Sequence, residues 1–156
     1  MTVLLVRHAR AKNRQRWEGD DRERPLTKAG RRQAGALVEL LAPFAPARLL
    51  SSPSRRCTAT LEPLAAKLGL EVEEVDELAE GAGASATGLL RRLSGQGVVA
   101  CSHGDVVPAL LRALAAEDGL SLPSDPPCAK GSTWVLEGEG RLSAARYLEA
   151  PAAEGP

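Results

Sequence analysis

The chain has two histidines, His8 and His103. Each follows a short apolar run, VLLV before Arg7-His8 and GVVACS before His103, and each precedes a small residue, Ala9 or Gly104. A third such run, ARLLSS, leads into PSRR and brings Arg55 and Arg56. Arginine presents a planar fork of donors suited to two-point contact with phosphate oxygens. A neutral imidazole can accept a phosphoryl group as a nucleophile. Arg7, His8, Arg56 and His103 gathered in one place would therefore neutralise a phosphoryl group and attack it. The competing reading is plainer: a strand-end histidine is often structural, and surface arginines pair with local acids. For Arg10, Arg16, Arg22, Arg31 and Arg32 the plainer reading is preferred.

For these residues to meet, the elements must deliver them. TVLLV (2–6) reads as a buried strand. Thr27 caps a helix over 28–41, with Ala34, Leu37, Val38 and Leu41 as its apolar stripe and Pro43 as its stop. ARLLSS (47–52) is a second strand. The segment SRRCTATLEPLAAKLG reads as a helix to Gly69, which Pro63 should kink or divide. LEVEEV (70–75) alternates like a half-exposed strand, 86–94 forms a short helix, GVVACSH (97–103) is another buried strand, and a helix runs from about 105 to 117. After a Pro-rich loop, STWVLEG and RLSAARYLE make a closing hairpin about Gly138 to Gly140. Strands alternating with helices predict an α/β fold: a three-layer α/β/α sandwich around a mainly parallel central sheet. Such sheets bind ligands beyond the carboxyl ends of their strands, where both histidines fall. Residues 1–150 are expected to form one domain and 151–156 a disordered tail.

Composition narrows the options. At 156 residues, with 44% hydrophobic and 26% charged, the chain is sized and built for about one globular domain. Aromatics make up only 3%, so Leu, Val and Ala must fill the core. Zero net charge argues against a surface that is wholly a polyanion footprint. The charges are nonetheless segregated: ten of the 20 basic residues lie in the first 32 positions, and six acids lie between Glu71 and Glu80. The basic segment is laced with acids and offers only Trp17 for stacking, so a nucleic-acid partner is not expected. Cys57, Cys101 and Cys128 are odd in number with no C-x-x-C, which suits a reducing cytoplasm better than a disulfide frame or a zinc site. No metal, other cofactor or membrane partner is expected, since no ligand cluster, leader-like segment or membrane-length apolar run is seen.

VLLVRHARA, SSPSRRCTAT and VVACSHG, in this order, closely resemble the histidine phosphatase superfamily, whose members include phosphoglycerate mutase and the protein-histidine phosphatase SixA. RHA with WEGDDRERPLTKAGRRQA is similar to the SixA-type branch. It is still more similar to the phosphatase domain that follows a Nudix domain in some actinobacterial nucleotide hydrolases, as is KGSTWVLEG. The resemblance covers nearly the whole chain and implies a phosphoglycerate mutase-like fold and a metal-independent phosphatase acting through phosphohistidine. Carried over by position, it makes His8 the phosphorylated nucleophile, Arg7 and Arg56 its phosphate-binding partners, and His103 the second pocket histidine. Thr60 takes the family's threonine position, and Arg55 falls outside the pattern. Glu80 lies near where many members place an acidic proton donor, although SixA-like proteins often lack one; a solvated connector acid is the alternative. Arg14 and Gly104 are candidates for substrate binding, Gly104 because the helix start after His103 offers N–H groups and a favourable dipole to an anion.

There are departures. Ala9 stands where the family more often has Gly, which restricts φ. The Nudix-linked relatives need not keep the second histidine. The chain is too short for the lid insertions of mutases, so hydrolysis is favoured over transfer. The resemblance leaves the substrate open among a phosphohistidine protein, a nucleotide phosphate and a small phosphoester. A phosphate-binding pseudoenzyme or accessory module, working with a Nudix-type hydrolase as partner, is the rival reading.

Overall fold

The computed structural model describes residues 2–139 and 141–152, and among them six strands and four α-helices, with short 3-10 turns between, build the fold. In chain order they are β1 (Thr2–Arg7), α1 (Lys28–Leu41), β2 (Arg48–Ser51), α2 (Arg55–Leu68), β3 (Val72–Glu74), α3 (Thr87–Leu93), β4 (Val98–Ser102), α4 (Val106–Asp118), β5 (Thr133–Glu137) and β6 (Ala144–Leu148). The sheet order is β3-β2-β4-β1-β5-β6. β3, β2, β4 and β1 run parallel, and β5 and β6 extend the β1 side antiparallel.

The apolar runs are continuous because both sheet faces are covered. Val3, Leu5, Val98, Ala100, Trp134 and Leu136 pack towards α3 and α4, against Leu90, Leu110 and Leu114. Their neighbours Leu4, Val6, Val99, Cys101 and Val135 pack towards α1 and α2, against Leu37, Leu41, Leu61 and Leu64. One-residue alternation thus sorts the strands between two helical layers and gives the expected sandwich.

Helix α1 starts where Thr27 caps it, its hydroxyl oxygen accepting from the Gly30 N–H at 3.0 Å. Pro63 does not divide helix α2, the stronger of the two outcomes expected of it, since one helix runs through it. Proline forfeits one intrahelical hydrogen bond at a cost of about 3 kcal/mol. Buried Cys57, Thr60 and Leu61 before it, and Leu64 and Ala65 after it, hold both halves against the sheet and offset that cost. The helix ends at Gly69 in the left-handed region, φ 68°. Strand β3 is shorter than the 70–75 expected, a half-buried edge strand paired only with β2.

The closing hairpin forms, with the Ser143 N–H donating to the Glu137 carbonyl at 3.0 Å; Gly140 of its expected turn lies outside the described residues. Of the expected tail, the Pro151 carbonyl accepts a hydrogen bond from Gln33 Nε2 at 3.2 Å, and 153–156 lie outside the described residues. Among the described residues, no helix is long and apolar enough to cross a membrane.

The pairing register decides where function can sit. Arg7 pairs with Ser102, so His8 and His103 leave two adjacent parallel strands at the same level. Ser51 pairs with Cys101, which brings the turn into α2, and with it Arg56, to the same edge.

Candidate active site

Around His8 four consecutive backbone N–H groups each donate one hydrogen bond, each to a different part of the fold. The Arg7 N–H donates to the Ser132 carbonyl before β5 at 3.1 Å, and the His8 N–H to the Ser102 carbonyl at the end of β4 at 3.0 Å. The Ala9 N–H donates to Thr60 Oγ1 on α2 and the Arg10 N–H to Gln33 Oε1 on α1, both at 3.0 Å. Gly30 lets α1 press close, since a Cβ there would lie 2.0 Å from the Arg10 carbonyl oxygen. Ala9 is fully buried against Leu26 and Ala34. Its φ is not positive, so the alanine in place of glycine is accommodated without strain.

The His8 Nδ1 lies 2.7 Å from the Ala9 carbonyl oxygen, which fixes the tautomer with the proton on Nδ1 and the lone pair on Nε2. Burial pushes its pKa down to about 3; the Ala9 carbonyl opposes this, while His103, Arg56 and Arg7 add to it. The imidazole is therefore neutral at physiological pH. The His103 ring stands edge-on to it, with centroids 5.5 Å apart. On its far side His103 Nε2 meets Ser52 Oγ at 2.8 Å and Cys57 Sγ at 3.6 Å.

Arg56 is fully buried. Its Nη1 donates to the Asp21 carbonyl at 2.9 Å, and its Nη2 lies 3.1 Å from the Asp21 carboxylate, 3.3 Å from Glu80 Oε2 and 3.4 Å from His103 Nδ1. Arg7 donates from Nη1 to the Cys128 carbonyl at 2.7 Å. Its guanidinium lies flat against Gly104, where a Cβ would come within 2.7 Å of Cζ and Nη2. In both arginines Nε is buried with no hydrogen-bond partner among the described residues. A fully buried cation and a half-buried one, both left partly unsatisfied, fit an anion better than a structural role.

Above these lies a cavity of about 550 Å³, lined among others by Arg7, His8, Arg14, Glu80, His103 and Gly104. Arg14 donates from Nη2 to Glu80 Oε1 at 2.8 Å. The structure thus gathers every sequence-derived candidate at one sheet edge, with Arg56 bonded to Glu80 and His103 beneath the rim. Arg55 points away, exposed and paired with Glu62.

Other residues of the site were missed. Asp21 bridges Arg56, Arg24 and Arg14. Burial opposes its ionisation, but the hydrogen bond from Arg24 and the three cations hold its carboxyl below the usual range. Ser52 supports His103, and Lys130 lines the cavity. The spacing of Asp21 and Arg24, one turn apart in a basic stretch, was a signal; Lys130 gave none.

One expectation is corrected. Among the described residues, Arg10, Arg16, Arg22, Arg31 and Arg32 form no ion pairs. The nearby acid Asp21 instead serves Arg14, Arg24 and Arg56, and Asp20 Oδ1 accepts from the Arg22 backbone N–H at 3.0 Å. Also among the described residues, no three His, Cys, Asp or Glu side chains converge as a metal-binding set.

Strand-end histidines beside the fully buried Arg56 and the half-buried Arg7, on this sheet order, make a site of the phosphoryl-transfer type. Residues 3–90 match the model of the histidine phosphatase superfamily (branch 1), and the chain belongs to that family. It is 40% identical, over 96% of its length, to the 8-oxo-(d)GTP phosphatase of Mycolicibacterium smegmatis, and spans about half (48%) of that relative's length. Its fold is similar to that of the protein histidine phosphatase SixA complexed with tungstate (TM-score 0.75, 22% identity, 98% of this chain and 97% of that one). It is also similar to mycobacterial glucosyl-3-phosphoglycerate phosphatase with VO3 (TM-score 0.75, 19% identity, 97% and 99%). At these identities the two structures bear on the fold alone, which is phosphoglycerate mutase-like.

Proposed function

We propose that the protein is a metal-independent phosphatase that works through a phosphohistidine on His8. The observation that carries this is the neutral, buried His8, its Nδ1 tied to the Ala9 carbonyl, set beside the fully buried Arg56 and the half-buried Arg7, whose Nε groups lack partners among the described residues. In this reading His8 Nε2 attacks phosphorus as the bond to the leaving oxygen breaks. Arg7, Arg56, His103 and the N–H groups after Gly104 stabilise the charge on the equatorial oxygens. A phosphoryl dianion on Arg56 competes with Glu80 for Nη2. Released from that pair, Glu80 in its acid form donates a proton to the leaving oxygen. Water attacks the phosphohistidine, the N–P bond breaks, and His8 returns to its neutral form.

Both histidines are in place, which favours turnover over a phosphate-binding pseudoenzyme. The mycobacterial relative, an 8-oxo-(d)GTP phosphatase, supports a nucleotide phosphate as substrate, and a phosphohistidine protein is the second reading within the family. A Nudix-type hydrolase as partner, and a cytoplasmic setting for the three free thiols, belong to the same reading.

Brief incubation with p-nitrophenyl [³²P]phosphate in excess EDTA, quenched in alkali and mapped by peptide, tests it. Acid-labile label on His8 is the expected result. Label on serine, aspartate or His103, or loss of turnover restored only by Mg²⁺ or Mn²⁺, would overturn it.

A further inference from the structure

Ala11 and Lys130 line both the cavity over His8 and a second cavity of about 860 Å³, which Arg10, Thr27 and Gln33 help to line. Lys130 is tied to the nucleophile's own strand. The next residue, Gly131, donates its N–H to both the Arg7 and the His8 carbonyl at 3.0 Å. Buried Gln33 completes the frame, accepting from the Arg10 N–H at 3.0 Å and donating to the Lys130 carbonyl at 3.2 Å. Gly131 sits at φ 85°, and a Cβ there would come within 3.1 Å of Gln33 Nε2. The backbone that carries Lys130 is therefore fixed beside His8.

The side chains around it are cations without counter-charges. Lys130, Lys12 and Arg10 have no side-chain hydrogen-bond or ion-pair partner among the described residues. Burial holds the Lys130 ammonium below its usual pKa, and the charges acting on it are all positive: Arg7, Arg24, Arg10 and Arg14. The acids of the rim are engaged elsewhere, Glu80 with Arg14 and Arg56, and Asp105 Oδ2 with the Gly81 N–H at 2.8 Å. A solvated cationic face would hold its charges apart and paired with local acids. Here Lys130 and Lys12 line the first cavity and Lys130 and Arg10 the second, and the first phosphoryl group already has the charge of Arg7 and Arg56 to meet its own.

We propose that Lys130, with Lys12 and Arg10, forms a second anion subsite, and that the substrate is a small-molecule phosphoanhydride whose penultimate phosphate it holds. The proposal rests on the phosphatase reading above. The terminal phosphoryl group lies between Arg7 and Arg56, the next phosphate on Lys130, and the remainder of the substrate in the second cavity. His8 Nε2 bonds to the terminal phosphorus as the P–O bond to the bridging oxygen breaks. The electron pair leaves on that oxygen, where Lys130 meets its charge, so no proton transfer is needed. Water then takes the phosphoryl group from His8 as orthophosphate.

Calorimetric binding of methylenediphosphonate and methylphosphonate to the whole chain tests the subsite without turnover. Wild type should prefer the diphosphonate at physiological salt. The preference should fall about tenfold in Lys130→Ala, the scale of one charge-assisted contact at a half-open site, and stay as it is in Lys67→Ala, which removes an equal charge at the far end of α2. Hydrolysis gives the second arm: Lys130→Ala should lose about tenfold more kcat/KM on a nucleoside diphosphate than on p-nitrophenyl phosphate. No preference in wild type, equal loss in Lys67→Ala, or a wild-type enzyme better on a phosphohistidine protein than on any diphosphate would overturn the proposal. A Lys130-dependent preference with no turnover of any phosphate would uphold the subsite and overturn the phosphatase reading instead.

Discussion

Replacing His8 by asparagine removes an imidazole that the fold keeps from protonating. The side chain is 7% exposed, and its pKa falls from 6.5 to about 3, chiefly by burial. Below pH 6.5 the unfolded chain takes up a proton at this residue and the folded protein does not. Stability therefore falls as the pH drops, and the loss ends only near pH 3, where the folded imidazole protonates too. The slope is about 1.4 kcal/mol per pH unit, so some ~3 kcal/mol should be gone by about pH 4. Urea unfolding of wild type and His8→Asn at about pH 7.5 and about pH 4 isolates this contribution, because every other titrating group is common to both. Wild type should lose about 3 kcal/mol more than the variant. Ring-proton NMR gives a direct reading: the His8 resonances, assigned by their absence from the variant, should stay flat between about pH 7 and about pH 5. Parallel stability losses, or an inflection of His8 near its ordinary pKa, would refute the neutral buried nucleophile.

Three further outcomes follow from the same geometry. Arg56→Ala should lower kcat/KM by about 100-fold or more, whereas Arg55→Ala, which loses only an exposed pair with Glu62, should change it less than about threefold; steady-state kinetics on one substrate compares them. Glu80→Gln should cost about 100-fold on an alkyl phosphoester and little on an anhydride, whose leaving group needs no proton; equal losses on both would assign Glu80 a binding role. Gly104→Ala puts a Cβ 2.7 Å from the Arg7 guanidinium. It should change urea unfolding little, because the end of a flexible side chain gives way, and raise KM in steady-state kinetics as Arg7 is displaced.

The strand ends were legible because short apolar runs bounded by polar residues admit few readings, and adjacent parallel strands must release His8 and His103 at one edge. Helix α1 followed from its apolar stripe and its stop at Pro43. The roles of Thr60, Glu80 and Arg14 came from family resemblance; no spacing in the chain points to them. Asp21 and Lys130 escaped because they sit on irregular segments whose paths are set by tertiary bonds, such as Arg24 Nη1 to the Lys12 carbonyl at 2.6 Å and the Gln33 clamp on Lys130. Pro63 did not divide its helix because a local helix rule lost to burial on both sides of it. The surface arginines misled because neighbours in sequence were taken as neighbours in space.

The four consecutive backbone bonds at Arg7, His8, Ala9 and Arg10 have a thermodynamic consequence. They engage the segment before β5, then β4, α2 and α1, so no single element can peel away and release the nucleophile while the rest stays folded. The amides of residues 7–10 should exchange with solvent only through global unfolding, with protection equal to the full stability of the protein. Heat or denaturant would then find no folded but disarmed state to populate. Inactivation and unfolding should coincide in one transition, and a destabilising change anywhere in the core should lower activity only through the fraction of molecules still folded.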